Sequence, residues 1–415
     1  MAIRQPDFTS FEDTPPALWR NRDYMLLWFG QIMSSLGTRV SGLAFPLLVL
    51  AVTGSAAQAG IVGALRTVPF AVLVLPAGAY IDRWDRKLVM IVCDVFRAIA
   101  LGSIPVAMVL GLLSSTQLGI AALVEGTFYT FFNVAETACL PRVVRREQIT
   151  TAVSFSNVTD SAMQMVGPSV GGLLYAMGRA VPFLTDAISY AASVVTLLFI
   201  HSEFQGERDA PQRHIWHEVR EGVTWMWGQP LLRSLALMMG TLNVVSMGWV
   251  LMIVVLAQRF HATSFEVGVV LAGGGIGSLI GSALCGWLQR RFGVRATMLG
   301  AIWLWAVTWP IYLVPNVPVM ALADCIGFIG CSVFMVTALG YRLTITPDHL
   351  QGRVNAVYKL LAFGPEPLSL LLTGVLIQSF GAPATVLICM APQVVLAIWA
   401  TRSRHLKRAL ALHAL

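Results

Sequence analysis

Read for its apolar and polar positions, the chain divides into twelve apolar segments, at about 24–52, 57–80, 88–112, 117–140, 148–177, 181–200, 231–257, 265–288, 296–314, 317–341, 351–379 and 383–401. Each approaches the ~20 residues a helix needs to cross the hydrocarbon core of a bilayer, so each is predicted to be a transmembrane helix. Apolar residues run around every face of these segments, and a soluble fold has no means of burying that much surface. The longest polar stretch, 201–230, separates the sixth segment from the seventh. It contains an amphipathic piece from Trp216 to Trp227 whose tryptophans and charges suit a membrane surface. The expectation is an all-α polytopic membrane protein in three parts. Residues 1–200 form a six-helix bundle behind an N-terminal tail, 201–230 a linker with an amphipathic helix, and 231–415 a second six-helix bundle with a basic tail.

Composition agrees: of 415 residues, 56% are hydrophobic and 12% charged, and the mean hydropathy is +0.72. In a soluble protein the net charge of +7 would suggest nucleic acid, but the placement of the charges gives a different reading. With both termini cytoplasmic, 23 of the 28 Lys and Arg lie in or beside cytoplasmic segments; two (Arg179, Arg259) lie outside and three (Arg39, Arg66, Arg97) within helices. Lys and Arg collect on the cytoplasmic side of membrane proteins, which fixes this topology and leaves no need for a nucleic-acid partner. The first 23 residues are polar and include Asp7, Glu12 and Asp13, unlike a cleavable signal peptide. The six cysteines fall within or at the ends of apolar segments with no metal or redox spacing, so they read as packing residues. With no nucleotide loop, metal cluster or paired nucleophile, neither an enzyme nor a metal or other cofactor is expected.

The densest charge lies between the second and third segments, in Gly78-Ala-Tyr-Ile-Asp82-Arg83-Trp-Asp85-Arg86-Lys87. This pattern resembles the signature loop between helices 2 and 3 of the major facilitator superfamily, with Asp85 where that family usually has Gly. A weaker copy, Gly286…Arg290-Arg291…Arg295, follows the eighth segment and supports a duplicated six-helix unit. Gly167-Pro168-Ser-Val-Gly171-Gly172 in the fifth segment resembles the helix-5 motif of the superfamily's antiporters; its glycines permit close helix contact and its proline bends the helix. Leu27-Trp28-Phe29-Gly30-Gln31, Ala44-Phe45-Pro46, Ala138-Cys139-Leu140-Pro141 and Gln351-Gly352-Arg353-Val354 are similar to the bacterial exporter branch that includes enterobactin and macrolide exporters. The resemblance covers roughly 20–405 and implies two pseudo-symmetric six-helix bundles.

An ionisable group at mid-membrane needs a partner, a water-filled cavity or a function. Counting from segment ends places Arg39, Arg66, Glu125 and Asp160 at mid-depth, in segments 1, 2, 4 and 5. They are expected either to pair and hold helices together or to include a titrating carboxylate held in range by arginine. The superfamily's proton-coupling acid often stands in helix 1; here Thr38-Arg39 occupies that place, which moves the expectation to Glu125 and Asp160. In the second half Asp324 and Glu366 have no evident arginine at their depth, and Asn243 offers a hydrogen bond. Trp303, Trp305 and Trp309 are expected to face lipid. The resemblance implies a cytoplasmic gate made by Gly78, Asp82, Arg83, Arg86 and Lys87. Glu136, the expected partner of Arg83 or Arg86, and the local pair Asp94 and Arg97 are expected to belong to the same gate.

Together these features predict a proton-coupled exporter, monomeric in the bacterial cytoplasmic membrane, for amphipathic cargo such as drugs or siderophores. An uptake carrier for a metabolite, or a lipid flippase or membrane sensor without proton coupling, are the alternatives.

Overall fold

The computed structural model describes residues 18–81, 83–202, 204, 215–347 and 350–402. Among the described residues the elements are helices without strands. The first six spans are α1 (Arg22–Thr53), α2 (Ala56–Ile81), α3 (Arg86–Val109), α4 (Ser115–Val143), α5 (Ile149–Met177) and α6 (Val181–Leu198). A short helix α7 (Ile215–Trp227) follows, then α8 (Pro230–Ser246), α9 (Trp249–Arg259), α10 (Ser264–Thr308), α11 (Val317–Ile345), α12 (Gln351–Phe363), α13 (Glu366–Phe380) and α14 (Ala382–Arg402).

Ten stretches are long and apolar enough to cross a membrane. One of them contains α10, whose 45 residues would extend about 67 Å as a straight helix, twice a bilayer's core. Gly293, at φ 78 and ψ 156, breaks it into the eighth and ninth spans. The fifth span, whose first half is rich in Ser, Thr and Asn, completes the expected twelve. Side chains cap several exposed ends: Asn21 accepts from Tyr24 N–H, Ser114 from Gln117 N–H, and Thr263 with Glu266 forms a capping box. These satisfy backbone donors that a helix start leaves unpaired.

Two spans are broken in the middle. The seventh is interrupted at Met247-Gly248, between α8 and α9, and the eleventh at Gly364-Pro365, between α12 and α13. The breaks face each other: Gly248 N–H donates to Ser369 Oγ at 3.1 Å, and a Cβ on Gly248 would overlap Thr373. Irregular backbone at this depth is tolerated because protein, not lipid, surrounds it. Asn243 Nδ2 donates to Ala362 O at 2.6 Å, so this candidate ties α8 to α12.

The first six spans meet the last six along two seams, α2 with α13 and α5 with α10. Both run through glycine. Gly60 faces Gly374, and Gly172, Gly268 and Gly275 bring the α5 and α10 backbones together. At the face away from the chain termini one buried apolar cluster joins both sets of spans, from Leu47 and Phe183 to Val254, Met320 and Val386. At the face bearing the termini the apolar core is split in two. One cluster includes Tyr24, Met90, Cys139 and Ile200; the other includes Leu232, Met298, Phe334 and Tyr358. The molecule is thus sealed at one face and parted at the other. Trp309 corrects one expectation: it is 3% exposed and donates its indole N–H to Gln393 Oε1 at 2.8 Å, so it belongs to the core and not to the lipid surface.

Candidate functional site

Two groups of charged residues sit at mid-depth, one enclosed among the first six spans and one in the cleft between the two sets. The enclosed group begins where α2 and α4 touch. A Cβ on Gly126 would overlap the Arg66 backbone carbonyl, so the helices approach closely enough for Arg66 Nε to donate to Glu125 Oε2 at 2.7 Å. Arg66 also donates to Ser41 Oγ at 3.3 Å. Arg97 of α3 closes the other side of Glu125 at 3.4 Å, donates to Asp94 Oδ1 at 3.2 Å and reaches Tyr190 OH at 2.7 Å. Its guanidinium carbon lies 3.9 Å from the Tyr190 ring centroid. Side-chain exposure is 1% for Arg97, 2% for Glu125 and 17% for Arg66, so only Arg66 opens to the cleft.

Arg97 and Asp94, expected at the gate, therefore belong to this enclosed cluster together with Arg66 and Glu125. Two members were missed in the sequence. Asp186 of α6 is fully buried, with Ser189 Oγ 3.2 Å from Oδ1 and Tyr190 OH 3.4 Å from Oδ2. It reaches α1 because Gly37 has no side chain; a Cβ there would overlap the carboxyl. Asp186, Ser189, Tyr190 and Ser193 recur at i, i+3, i+4 and i+7, a polar stripe on one helix face that was legible as such.

Arg39 and Asp160 lie outside this cluster. Both are exposed although mid-span, and Ser35 Oγ donates to Asp160 Oδ1 at 3.4 Å, so they form a wetted wall of the cleft on α1 and α5. Glu366 opens α13 just after the Gly364-Pro365 break and lies within electrostatic reach of Arg66 and Arg39. This corrects the expectation that no arginine stands near it: the arginines come from the other set of spans. Asp324 has no arginine partner among the described residues; Tyr312 O–H donates to its Oδ1 at 2.7 Å and it is fully buried. A polar pocket of ≈ 40 Å³ between α5 and α10, lined by Ser161, Gln164, Ser278 and Ser282, continues the cleft wall. The larger crevice, ≈ 400 Å³ between α3 and α4, is lined mainly by apolar residues such as Phe96, Ile99 and Ile120 and touches none of these charges.

The signature loop works at helix ends. Arg86 Nη1 donates to Ala138 O at 2.9 Å and Lys87 Nζ to Ile200 O at 2.7 Å, cations set on the C-terminal ends of α4 and α6 where the helix dipole favours them. Glu136 makes no ion pair with Arg83 or Arg86 among the described residues, contrary to expectation; it is half-buried and electrostatically coupled to Asp160, Asp94 and Arg97 instead. Asp82 lies outside the described residues. Asp85 accepts from Leu88 N–H at 3.0 Å and caps α3, which gives the departure from Gly at this position a local purpose. Apart from its own helix backbone and chain neighbours, no described residue comes within 4 Å of where a Gly78 Cβ would be. In the helix-5 motif Gly167 and Gly171 pack on Arg39 and Val40 of α1, while Gly172 and the Pro168 carbonyl meet Ser264 and Gly268 of α10. The motif thus fits α5 between the two sets of spans.

A twelve-span helical protein with a cleft between two sets of helices, and charges at mid-depth in that cleft, is a membrane transporter of the major facilitator fold. The family model described as "Transmembrane secretion effector" matches residues 14–412, and the chain belongs to that family within the major facilitator superfamily, a family of transporters and not of enzymes. The chain is 29% identical to the multidrug efflux pump Tap of Mycolicibacterium fortuitum over 90% of this chain and 94% of the pump. It is 25% identical to macrolide efflux protein A of Streptococcus pyogenes over 90% and 95%. With the enterobactin exporter EntS of Escherichia coli O1:K1 / APEC identity is 24% over 81% and 80%. Among solved structures, a bacterial homologue of the human lysosomal transporter Spinster, inward-facing and unoccupied, superposes with a TM-score of 0.75 at 13% identity, covering 95% of this chain and 99% of that one; this likeness is one of fold.

Proposed function

We propose that this chain is a proton-driven exporter of amphipathic small molecules, an antiporter of the bacterial cytoplasmic membrane with both termini in the cytoplasm. The observation that carries the reading is the asymmetry of the core. One apolar cluster spans both sets of helices at the outer face and two separate clusters stand at the inner face, with Arg39, Asp160, Arg66 and Glu366 in the cleft between. This is the inward-open arm of alternating access, in which two bundles, 1–200 and 231–415, rock about a central site and the linker 201–230 spans them. Relatives named for multidrug, macrolide and enterobactin efflux support export over uptake and a cargo with both apolar and polar parts. Apolar walls with a few placed charges suit such a cargo, and Asp160 beside Arg39 offers it either sign of charge. Opening and closing at Gly78, Asp82, Arg83, Arg86 and Lys87 would gate the cytoplasmic face.

Cells expressing the chain are expected to lose preloaded ethidium faster than control cells and to tolerate more erythromycin, both effects vanishing with a protonophore. Export of both compounds at control rates, from cells whose membranes contain the protein, overturns the reading.

A further inference from the structure

Asp186 sits in an enclosure whose charges do not balance. Three carboxyls (Asp94, Glu125 and Asp186) share it with two guanidiniums (Arg66 and Arg97), all of them buried except the partly open Arg66. Two cations neutralise two carboxylates, and a third bare carboxylate away from water is strongly disfavoured. Arg66 serves Glu125, and Arg97 serves Glu125 and Asp94. Asp186 receives no arginine N–H among the described residues.

The hydroxyls around Asp186 leave room for a proton on it. A hydroxyl has one hydrogen to donate. That of Ser189 has a near acceptor in the Asp186 backbone carbonyl at 2.7 Å, against 3.2 Å to the carboxyl. Thr38 spends its own on Ser34 O at 2.9 Å. Tyr190 therefore donates at its Thr38 contact of 3.0 Å, nearer than either carboxylate at 3.4 Å. Ser41 reaches the carboxyl within hydrogen-bond range and has a second acceptor in Thr38 O at 3.2 Å. Each hydroxyl that reaches the Asp186 carboxyl thus has a second acceptor nearby, and a hydrogen on the carboxyl itself would donate to Ser189 Oγ or Tyr190 OH at the same contacts.

We propose that Asp186 holds the proton exchanged in each transport cycle, buried behind α1 in the inward-open state. The proposal rests on the proton-driven reading above and names its site. The groups facing Asp186 are Gly37, Thr38 and Ser41 from α1, Arg66 from α2, Arg97 from α3 and Glu125 from α4, with Tyr190 on its own helix. Glu125, clasped by both arginines, is held as a carboxylate, and Asp160 stands in the wetted cleft. Helix 6 thereby brings an acid to the part of α1 where Thr38-Arg39 offers none, through the gap that Gly37 leaves. When the proton leaves, the enclosure gains one negative charge, which draws on Arg66 and Arg97. Arg66 is the member that opens to the cleft and lies within reach of Glu366, so the change is felt at the α2–α13 seam.

The test is infrared spectroscopy of the purified protein in lipid, in the carbonyl-stretch region of protonated carboxyl groups. Wild type is expected to show absorption at neutral pH of which one component disappears on alkalinisation and is missing from Asp186→Asn, while Asp324→Asn removes a different component and leaves this one in place. Tyr190→Phe, which keeps the carboxyl, is expected to retain the component with a shifted pH midpoint. A component of full amplitude in Asp186→Asn, or one removed by Glu125→Gln alone, overturns the proposal. In proteoliposomes Asp186→Asn is expected to lose ethidium transport driven by a pH gradient and to keep ethidium exchange at equal pH. If wild type and Asp186→Asn move ethidium with the same pH dependence, the assignment fails and the exporter stands. If wild type moves none under a pH gradient while the infrared component is lost in Asp186→Asn, the exporter reading fails and Asp186 remains the buried protonated group.

Discussion

Gly60 of α2 and Gly374 of α13 meet backbone to backbone. A methyl group on Gly60 would stand 3.0 Å from Gly374 Cα and 2.6 Å from the Leu370 carbonyl oxygen. Below them Ser55 Oγ and Ala56 N–H both donate to Gln378 Oε1, at 3.2 and 3.1 Å. This contact closes the face away from the chain termini, and only the absence of side chains permits it. Gly60→Val inserts volume where the backbone has no room to yield, an overpacking worth about 1–3 kcal/mol. At ~1.4 kcal/mol per tenfold, the population should shift from the inward-open toward the outward-open state. A cysteine at Ser55 should then react faster with a membrane-impermeant thiol reagent from outside, and the unchanged rate is the contrary result.

Arg66 and Glu125 pair within a buried network: removing Arg66 leaves Arg97 to serve both Glu125 and Asp94, and removing Glu125 leaves Arg66 with no ion pair among the described residues. Arg66→Leu and Glu125→Leu should each lower stability by about 3–5 kcal/mol, read as thermal unfolding in detergent. The double substitution should be less harmful than the sum of the two. Strict additivity would mean that the 2.7 Å contact contributes nothing.

The facing breaks in the seventh and eleventh spans depend on one hydroxyl. Ser369→Ala leaves Gly248 N–H without its acceptor at a buried site, which should cost about 1–3 kcal/mol. Ser369→Thr keeps the oxygen and should recover part of that loss. Equal unfolding temperatures for wild type and Ser369→Ala would mean that another group satisfies Gly248.

Arg353 of α12 donates to Glu221 of α7 at 2.6 Å, with the two side chains 22% and 39% exposed. A pair this open to solvent contributes only about 0.2–1 kcal/mol. Glu221→Ala should therefore leave both unfolding temperature and ethidium transport near wild type, despite the short distance. A large loss of either would assign the amphipathic helix a tighter hold on α12 than the pair itself provides.

The spans were legible because length and apolar run determine them; segments drawn at 57–80 and 117–140 became Ala56–Ile81 and Ser115–Val143. The breaks near Gly248 and Gly364 were not, since what makes them stable is a partner on another span. Depth put Arg39, Arg66, Glu125 and Asp160 at one level, but the structure joins only Arg66 and Glu125 of the four, because Arg39 and Asp160 stand on exposed faces of α1 and α5. It failed for Glu366, whose arginines stand across the seam, and for Arg97, whose proximity to Asp94 in sequence suggested a local pair and hid its reach to Glu125 and Tyr190. Asp186 was as visible as Glu125, a lone charge in an apolar run. What the sequence does not show is the gap at Gly37 that brings its carboxyl against α1.

The central claim is that outward movement of cargo is tied to inward movement of protons. It is tested most directly in proteoliposomes loaded with ethidium and a trapped pH-sensitive dye, diluted into ethidium-free buffer at equal pH with potassium and valinomycin clamping the voltage. Antiport predicts that ethidium leaving the vesicles acidifies their lumen, beyond protein-free vesicles treated alike, and that a protonophore collapses the acidification. Protein-dependent ethidium efflux with no change in lumenal pH would contradict it and leave a uniporter in its place.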